Sequence, residues 1–131
     1  RFKNDKFIDD ALSMRLFNTL PVSITSGLRP HNVIMTGMYT TGDEFGLHTD
    51  TGFYYDDVKK EKCNFTYIIY LNDNFKGGET AFYSDSFILE RTIQPKIGLG
   101  LLFDLSIWHK GNKVESGEKY WISIEIIGKF E

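Results

Sequence analysis

The sequence predicts a mainly β protein, an antiparallel sandwich or jelly roll with one N-terminal helix. Three observations predict it. Aromatic residues make up 15% of the chain, with 11 Phe and 7 Tyr, which suits pleated sheets and a substantial core. Turn chemistry recurs at short intervals, at Thr41-Gly42-Asp43, Asn72-Asp73-Asn74, Lys76-Gly77-Gly78 and Glu115-Ser116-Gly117. Between these turns lie short strand patterns with no helical pattern interposed, which argues against a βαβ arrangement.

The helix is predicted over residues 7–20. Ile8, Leu12, Leu16 and Leu20 recur at four-residue spacing and form one apolar stripe. Asp9 and Asp10 fall in the first turn, where the helix dipole favours negative charge, and Pro21 ends the run. Eight strands follow, at 32–39, 45–48, 64–71, 80–83, 88–93, 98–103, 107–110 and 119–127. The last is the most explicit. Tyr120, Ile122, Ile124 and Ile126 share one face, which should pack on the helix or a second sheet. Lys119, Trp121, Ser123 and Glu125 share the other, and in a jelly roll such a polar face can line a ligand-holding interior.

A length of 131 residues suits one compact domain over 1–131, and a start at Arg1 rather than Met fits a piece of a longer protein. With 41% apolar and 25% charged residues the composition is that of an ordinary soluble domain. A net charge of −3 offers nothing to attract nucleic acid. No apolar run nears the roughly 20 residues of a membrane span. Cys63 is the only cysteine, so no internal disulfide is available and a reducing compartment, the cytoplasm, is the default. Asn64-Phe65-Thr66 has the glycosylation pattern but opens an apolar strand, where a glycan would clash with packing.

The chemistry concentrates at His48-Thr49-Asp50, His109 and Lys119. His48 and Asp50, two residues apart on a strand or its extended exit, project to the same side. His109 comes 59 residues after Asp50, a gap that a late strand of the same barrel can close. Two histidines and a carboxylate on one metal leave half an octahedron open, the facial triad expected of non-haem Fe(II) oxygenases. Lys119 then offers a cation to the far carboxylate of a dicarboxylic co-substrate. Read alone, His-x-Asp is a common tripeptide, and a histidine after Trp108 can equally cap a core. His31, which follows Pro30 and has no carboxylate at ligand spacing, reads as a surface loop residue.

From about Val33 onward the chain resembles the catalytic domain of the prolyl 4-hydroxylase group of 2-oxoglutarate- and Fe(II)-dependent dioxygenases. The resemblance runs through Tyr39-Thr40-Thr41-Gly42-Asp43-Glu44-Phe45-Gly46-Leu47-His48-Thr49-Asp50 and Thr66-Tyr67-Ile68-Ile69-Tyr70-Leu71-Asn72-Asp73. It continues through Gly77-Gly78-Glu79-Thr80, Pro95-Lys96-Ile97-Gly98, Leu101-Leu102-Phe103, and His109 to Gly117-Glu118-Lys119. It implies a double-stranded β-helix fold, with His48, Asp50 and His109 on iron and Lys119 on the C5 carboxylate of 2-oxoglutarate. Tyr39 and Thr66 match residues that line the same pocket. Fe(II), 2-oxoglutarate, O₂ and ascorbate as reductant are the implied cofactors. Gly77-Gly78-Glu79-Thr80 reads as a structural hairpin. The chain departs from the family pattern at Tyr120, where tryptophan is usual, in the short span 104–108, and in its brief N-terminal region.

The implied reaction turns 2-oxoglutarate and O₂ into succinate and CO₂ while hydroxylating an unactivated C–H bond. The first expected substrate is a peptidyl proline in an extended segment, with Phe53, Tyr54, Tyr55 and Trp121 stacking on proline rings. Alternatives are another amino-acid side chain, a small molecule, or a non-catalytic interaction module. A nucleic-acid demethylase is disfavoured, since that group uses arginine for the co-substrate and no arginine follows His109. Segment 51–63 joins Phe53, Tyr54 and Tyr55 to a charged half without strand or helix period, and is expected to be either a mobile lid contributing peptide contacts or a merely flexible connection.

Overall fold

The computed structural model describes residues 2, 3, 15, 18 and 20–131. Apart from Arg15, Asn18 and Leu20, the helix expected over 7–20 lies outside these residues. The described chain is antiparallel β, with helical backbone at Arg15 and Asn18 and one short delimited helix, α1 (Val22–Thr25). The longest strands are β2 (Arg29–Thr40), β5 (Glu61–Tyr70) and β12 (Glu118–Lys129). These three are the heart of a six-stranded sheet ordered β1-β2-β12-β5-β4, with β9 (Gly100–Asp104) also paired to β5. Here β1 is Phe2–Lys3 and β4 is Tyr55–Asp56. A four-stranded sheet follows the order β3-β10-β7-β8, from β3 (Phe45–His48), β10 (Trp108–Gly111), β7 (Thr80–Tyr83) and β8 (Leu89–Ile93). A third sheet pairs β6 (Lys76–Gly77) with β11 (Val114–Ser116). Two antiparallel sheets around one interior are the jelly roll that the sequence predicts.

All eight predicted strands are present, two of them, β3 and β7, with unchanged bounds. The strands β1, β4, β6 and β11 were not predicted. Each has only two or three residues, too few for an alternation to be read, and exists because a longer neighbour offers its edge. Lys76-Gly77 is thus paired strand rather than pure turn. His31 needs a like correction. It lies inside β2, its ring 5.2 Å from that of Tyr54 and its Nδ1 3.6 Å from Glu125, so it is a covered strand residue and not a surface loop histidine.

The two faces of the large sheet do different work. On the outer face Ile34, Tyr67, Ile69, Ile124 and Ile126 form a buried cluster, closed by Leu20, Leu28 and Leu102. The isoleucine face of β12 therefore packs against the segment preceding β2, not against the second sheet. Burying each such side chain contributes roughly 1.5–3 kcal/mol. Tyr120 departs from the expected pattern. It sits at the strand's open end, half exposed, with its hydroxyl donating to Glu118 Oε2 at 2.5 Å. The inner face, carrying Tyr39, Thr66, Tyr70, Lys119, Trp121 and Ser123, looks onto the cavity between the sheets.

Candidate metal centre

His48 ends β3 and His109 lies in β10, and the two strands pair so that these histidines are direct cross-strand neighbours. Their rings stand 4.2 Å apart, centre to centre. Asp50 follows β3 by two residues, its N–H donating to Leu105 O at 3.0 Å. That bond folds the strand exit inward and brings Asp50 Oδ1 to 3.3 Å from His48 Nε2 and 3.5 Å from His109 Nε2. The three potential ligand atoms all lie within 4.8 Å of one another. The two strands, one turn and two-residue spacing thus realise the convergence that His-x-Asp and a distant histidine suggest.

Each histidine is held in one tautomer. His48 Nδ1 donates to Gly46 O at 2.7 Å and His109 Nδ1 donates to Ile107 O at 2.9 Å, because a carbonyl can only accept. Both Nε2 atoms face the same carboxylate oxygen, and in the neutral rings their lone pairs and that oxygen form an acceptor set that a cation can bridge. Burial pushes the His109 pKa below the ordinary histidine value, which favours the neutral, ligating ring. Its ring packs edge-on against Phe103 at 4.7 Å, so the site has an apolar back wall. Donor type and number fit a ferrous ion with open positions.

Thr66 takes a part that sequence reasoning did not give it. Its hydroxyl donates to Asp50 Oδ2 at 2.5 Å, leaving Oδ1 to face the histidines. Thr66 thus orients a candidate ligand while also lining the cavity.

That cavity, of about 250 Å³, runs from the three ligands to Lys119. Lys119 is only 4% exposed, and its ammonium donates to Gly78 O at 2.7 Å. The rings of Tyr70, Trp121 and Tyr39 surround it at 5.4, 5.5 and 6.0 Å, a cage that stabilises a cation through ring quadrupoles. Desolvation still dominates and lowers the Lys119 pKa to about 8, with Glu79 opposing it. Tyr39 is the cross-strand partner of Lys119, and burial raises its pKa. Tyr70 is more strongly desolvated, its phenol pushed up to about 12, and its hydroxyl is hydrogen-bonded to that of Thr80. A buried cation with neutral hydroxyls beside it is suited to a carboxylate.

Sequence reasoning missed Gly78, Tyr70 and Thr80. Tyr70 was within reach, since 66, 68 and 70 share one face of β5. The sequence reads Gly78 and Thr80 as part of a structural hairpin; in the fold Gly78 presents its carbonyl to Lys119 and Thr80 lines the cavity. Of the residues expected to meet substrate, Trp121 lines the cavity and Phe53, Tyr54 and Tyr55 do not. Tyr54 turns to Glu61 and Arg29, and Tyr55 stacks on Phe130 at 5.2 Å. The backbone explains the change. Glu125 accepts from the N–H groups of Phe53 and Tyr54 at 2.6 and 3.2 Å, and Tyr55-Asp56 then pairs with Glu61-Lys62. The segment expected to be a free lid is a hydrogen-bonded hairpin on the large sheet.

The family described as the 2OG-Fe(II) oxygenase superfamily matches residues 34–124. No curated protein sequence matches the chain. Among solved structures it is similar to a truncated form of the viral collagen prolyl hydroxylase of Paramecium Bursaria Chlorella virus-1. That pair shares 25% identity and a TM-score of 0.69, over 98% of this chain and 73% of that one. An oxidoreductase of the 2OG-Fe(II) oxygenase family from Burkholderia pseudomallei aligns at 15% identity and TM-score 0.60, over 76% of this chain and 43% of that one. A prolyl hydroxylase of Trichoplax adhaerens, in complex with a hypoxia inducible factor oxygen degradation domain peptide fragment, aligns at 21% identity and TM-score 0.58. That alignment covers 79% of this chain and 45% of that one, so the chain spans under half of the last two relatives. The family match alone takes in all three candidate ligands and Lys119, and the chain belongs to the 2OG-Fe(II) oxygenase superfamily.

Proposed function

We propose that this chain is a 2-oxoglutarate- and Fe(II)-dependent dioxygenase that hydroxylates a peptidyl proline. The observation that carries the reading is the single cavity that joins His48, Asp50 and His109 to the buried Lys119. His48 Nε2, Asp50 Oδ1 and His109 Nε2 would hold the iron. When bound, ferrous iron in this ligand set supplies the O₂ chemistry that couples decarboxylation of 2-oxoglutarate to succinate and CO₂ with hydroxylation of a C–H bond. The protein's own work is placement. Lys119 binds the far carboxylate of 2-oxoglutarate by charge, and Tyr39 and the Tyr70–Thr80 hydroxyl pair lie around it for hydrogen bonds. Thr66 and the carbonyls of Gly46 and Ile107 hold the ligands in orientation before anything binds. Phe103 and Ile68 exclude water from the cavity wall. Ascorbate as reductant belongs to the same proposal.

Of the residues that line the cavity, Met35, Thr36 and Phe45 are exposed, and the substrate would approach past them. Phe45 is half exposed and its ring meets that of His48 edge-on at 4.1 Å, an aromatic surface for a proline ring beside the metal site. The collagen prolyl hydroxylase and the peptide-bound Trichoplax enzyme among the similar structures support a peptide substrate. The test is incubation with Fe(II), 2-oxoglutarate and ascorbate against proline-containing peptides, other peptides and a metabolite mixture. The expected result is a +16 Da product on proline with stoichiometric succinate. A product only on another residue or on a metabolite replaces the substrate, and absence of succinate under every condition overturns the enzyme reading.

A further inference from the structure

Trp121 is held where it is by the absence of a side chain at Gly37. The two residues are cross-strand neighbours on β12 and β2, and Trp121 has Tyr70 as its neighbour on the other side. A Cβ built on Gly37 would overlap the Cζ2, Cη2 and Cε2 atoms of the indole. The indole therefore lies across the bare backbone of β2, leaning away from Tyr70. There it meets the ring of Tyr39 at 4.4 Å and stands 5.5 Å from Lys119 Nζ. It is the largest side chain on the inner face of β12, and it lies between Lys119 and Ser123, both of which also line the cavity. Gly37 has no left-handed backbone conformation to maintain, so its lack of a side chain matters for space alone.

We propose that Gly37 and Trp121 form a specificity pair for the diacid: Gly37 parks the indole against the sheet, which keeps the volume beside Lys119 open and closes its β2 side. With a methyl group at position 37 the indole must move off β2. The space it can enter is the cavity that the far carboxylate needs. With the indole removed, that side opens, and a longer diacid can bow into the vacated volume while still reaching Lys119. The inference rests on the co-substrate reading above.

Binding to the Mn(II)-loaded protein, followed by calorimetry without turnover, tests it. Mn(II) affinity is measured first for each protein, then 2-oxoglutarate and the one-carbon-longer 2-oxoadipate. Gly37→Ala is expected to weaken 2-oxoglutarate at least tenfold while Mn(II) affinity stays within threefold. The double variant Gly37→Ala with Trp121→Ala is expected to bind 2-oxoglutarate within threefold of Trp121→Ala alone. Trp121→Ala is itself expected to improve 2-oxoadipate relative to 2-oxoglutarate at least fivefold. Wild-type affinity in Gly37→Ala, or a double variant as weak as Gly37→Ala, overturns the pair. Should Gly37→Ala fail to fold, an unchanged diacid ratio in Trp121→Ala overturns it alone. If wild-type protein binds Mn(II) but neither diacid, the co-substrate reading fails and the inference with it.

Discussion

Thr66 and Lys119 show how single side chains set the properties of the site. The Thr66 hydroxyl is the donor that selects which Asp50 oxygen faces the histidines. Thr66→Val keeps the shape and removes the donor, so Mn(II) affinity should fall about 10–100-fold, as for other outer-shell losses at metal sites. Thr66→Ser should restore most of it, and equal affinity in the valine variant would remove the orienting role. Lys119 makes a pH prediction. Its pKa in the free protein is about 8, lowered from 10.5 by burial. Above about pH 8 the ligand-free site loses the charge that attracts a carboxylate. Affinity for 2-oxoglutarate should therefore be flat below this value and fall up to tenfold per pH unit above it, with proton uptake on binding. Titration calorimetry in buffers of different ionisation enthalpy reads both. The same lowered pKa means that the unfolded chain binds the extra proton between about pH 8 and 10.5, so ligand-free stability gains from this group as pH rises there.

The hairpin of β4 and β5 is an element whose behaviour depends on one carboxylate. Glu125 accepts two N–H groups just after the Asp50 exit, and it comes from β12, where it pairs with Thr66. Cys63 sits close by, buried, its thiol pushed up to about 12 by desolvation and by the charges of Glu125 and Asp50, so it is unreactive. The amides of Phe53, Tyr54 and Lys62 should already be protected from hydrogen exchange in ligand-free protein. Glu125→Ala should speed exchange at Phe53 and Tyr54 at least tenfold and weaken metal binding less than Thr66→Val does. Rapid wild-type exchange across 51–55 would instead restore the mobile lid that the residue pattern suggested.

At the scale of the molecule, one sheet separates the core from the chemistry. The outer face of β2, β12 and β5 holds the isoleucine cluster, and the inner face holds the polar groups of the cavity. Ile126, fully buried in the outer cluster, lies on the face away from the ligands. Ile126→Ala should lower stability by about 2–5 kcal/mol in urea unfolding, by lost burial plus a residual cavity. Metal affinity of the folded fraction should stay within threefold, since the large sheet keeps its register. A matching loss of metal affinity would show that the two faces are coupled.

Much of this was legible in order along the chain. Alternation gave the long strands, and the Lys119, Trp121 and Ser123 face of β12, because strand periodicity is local. The triad was legible as a residue on one strand, a second two positions on at its exit and a third on a later strand, and family resemblance joined them. Four features needed the tertiary structure: the orienting role of Thr66, the carbonyl of Gly78 on Lys119, the covered place of His31 in β2, and the outward turn of Tyr54 and Tyr55. Each depends on which strand lies beside which. Thr66 reaches Asp50 across 16 positions, Gly78 reaches Lys119 across 41, and Glu125 reaches Phe53 across 72. The sequence by itself determined which side chains share a face, since that follows from bonds between adjacent residues. Only the tertiary structure decided which faces meet, because long-range pairing is set by the packing of the whole sheet rather than by any segment's own pattern.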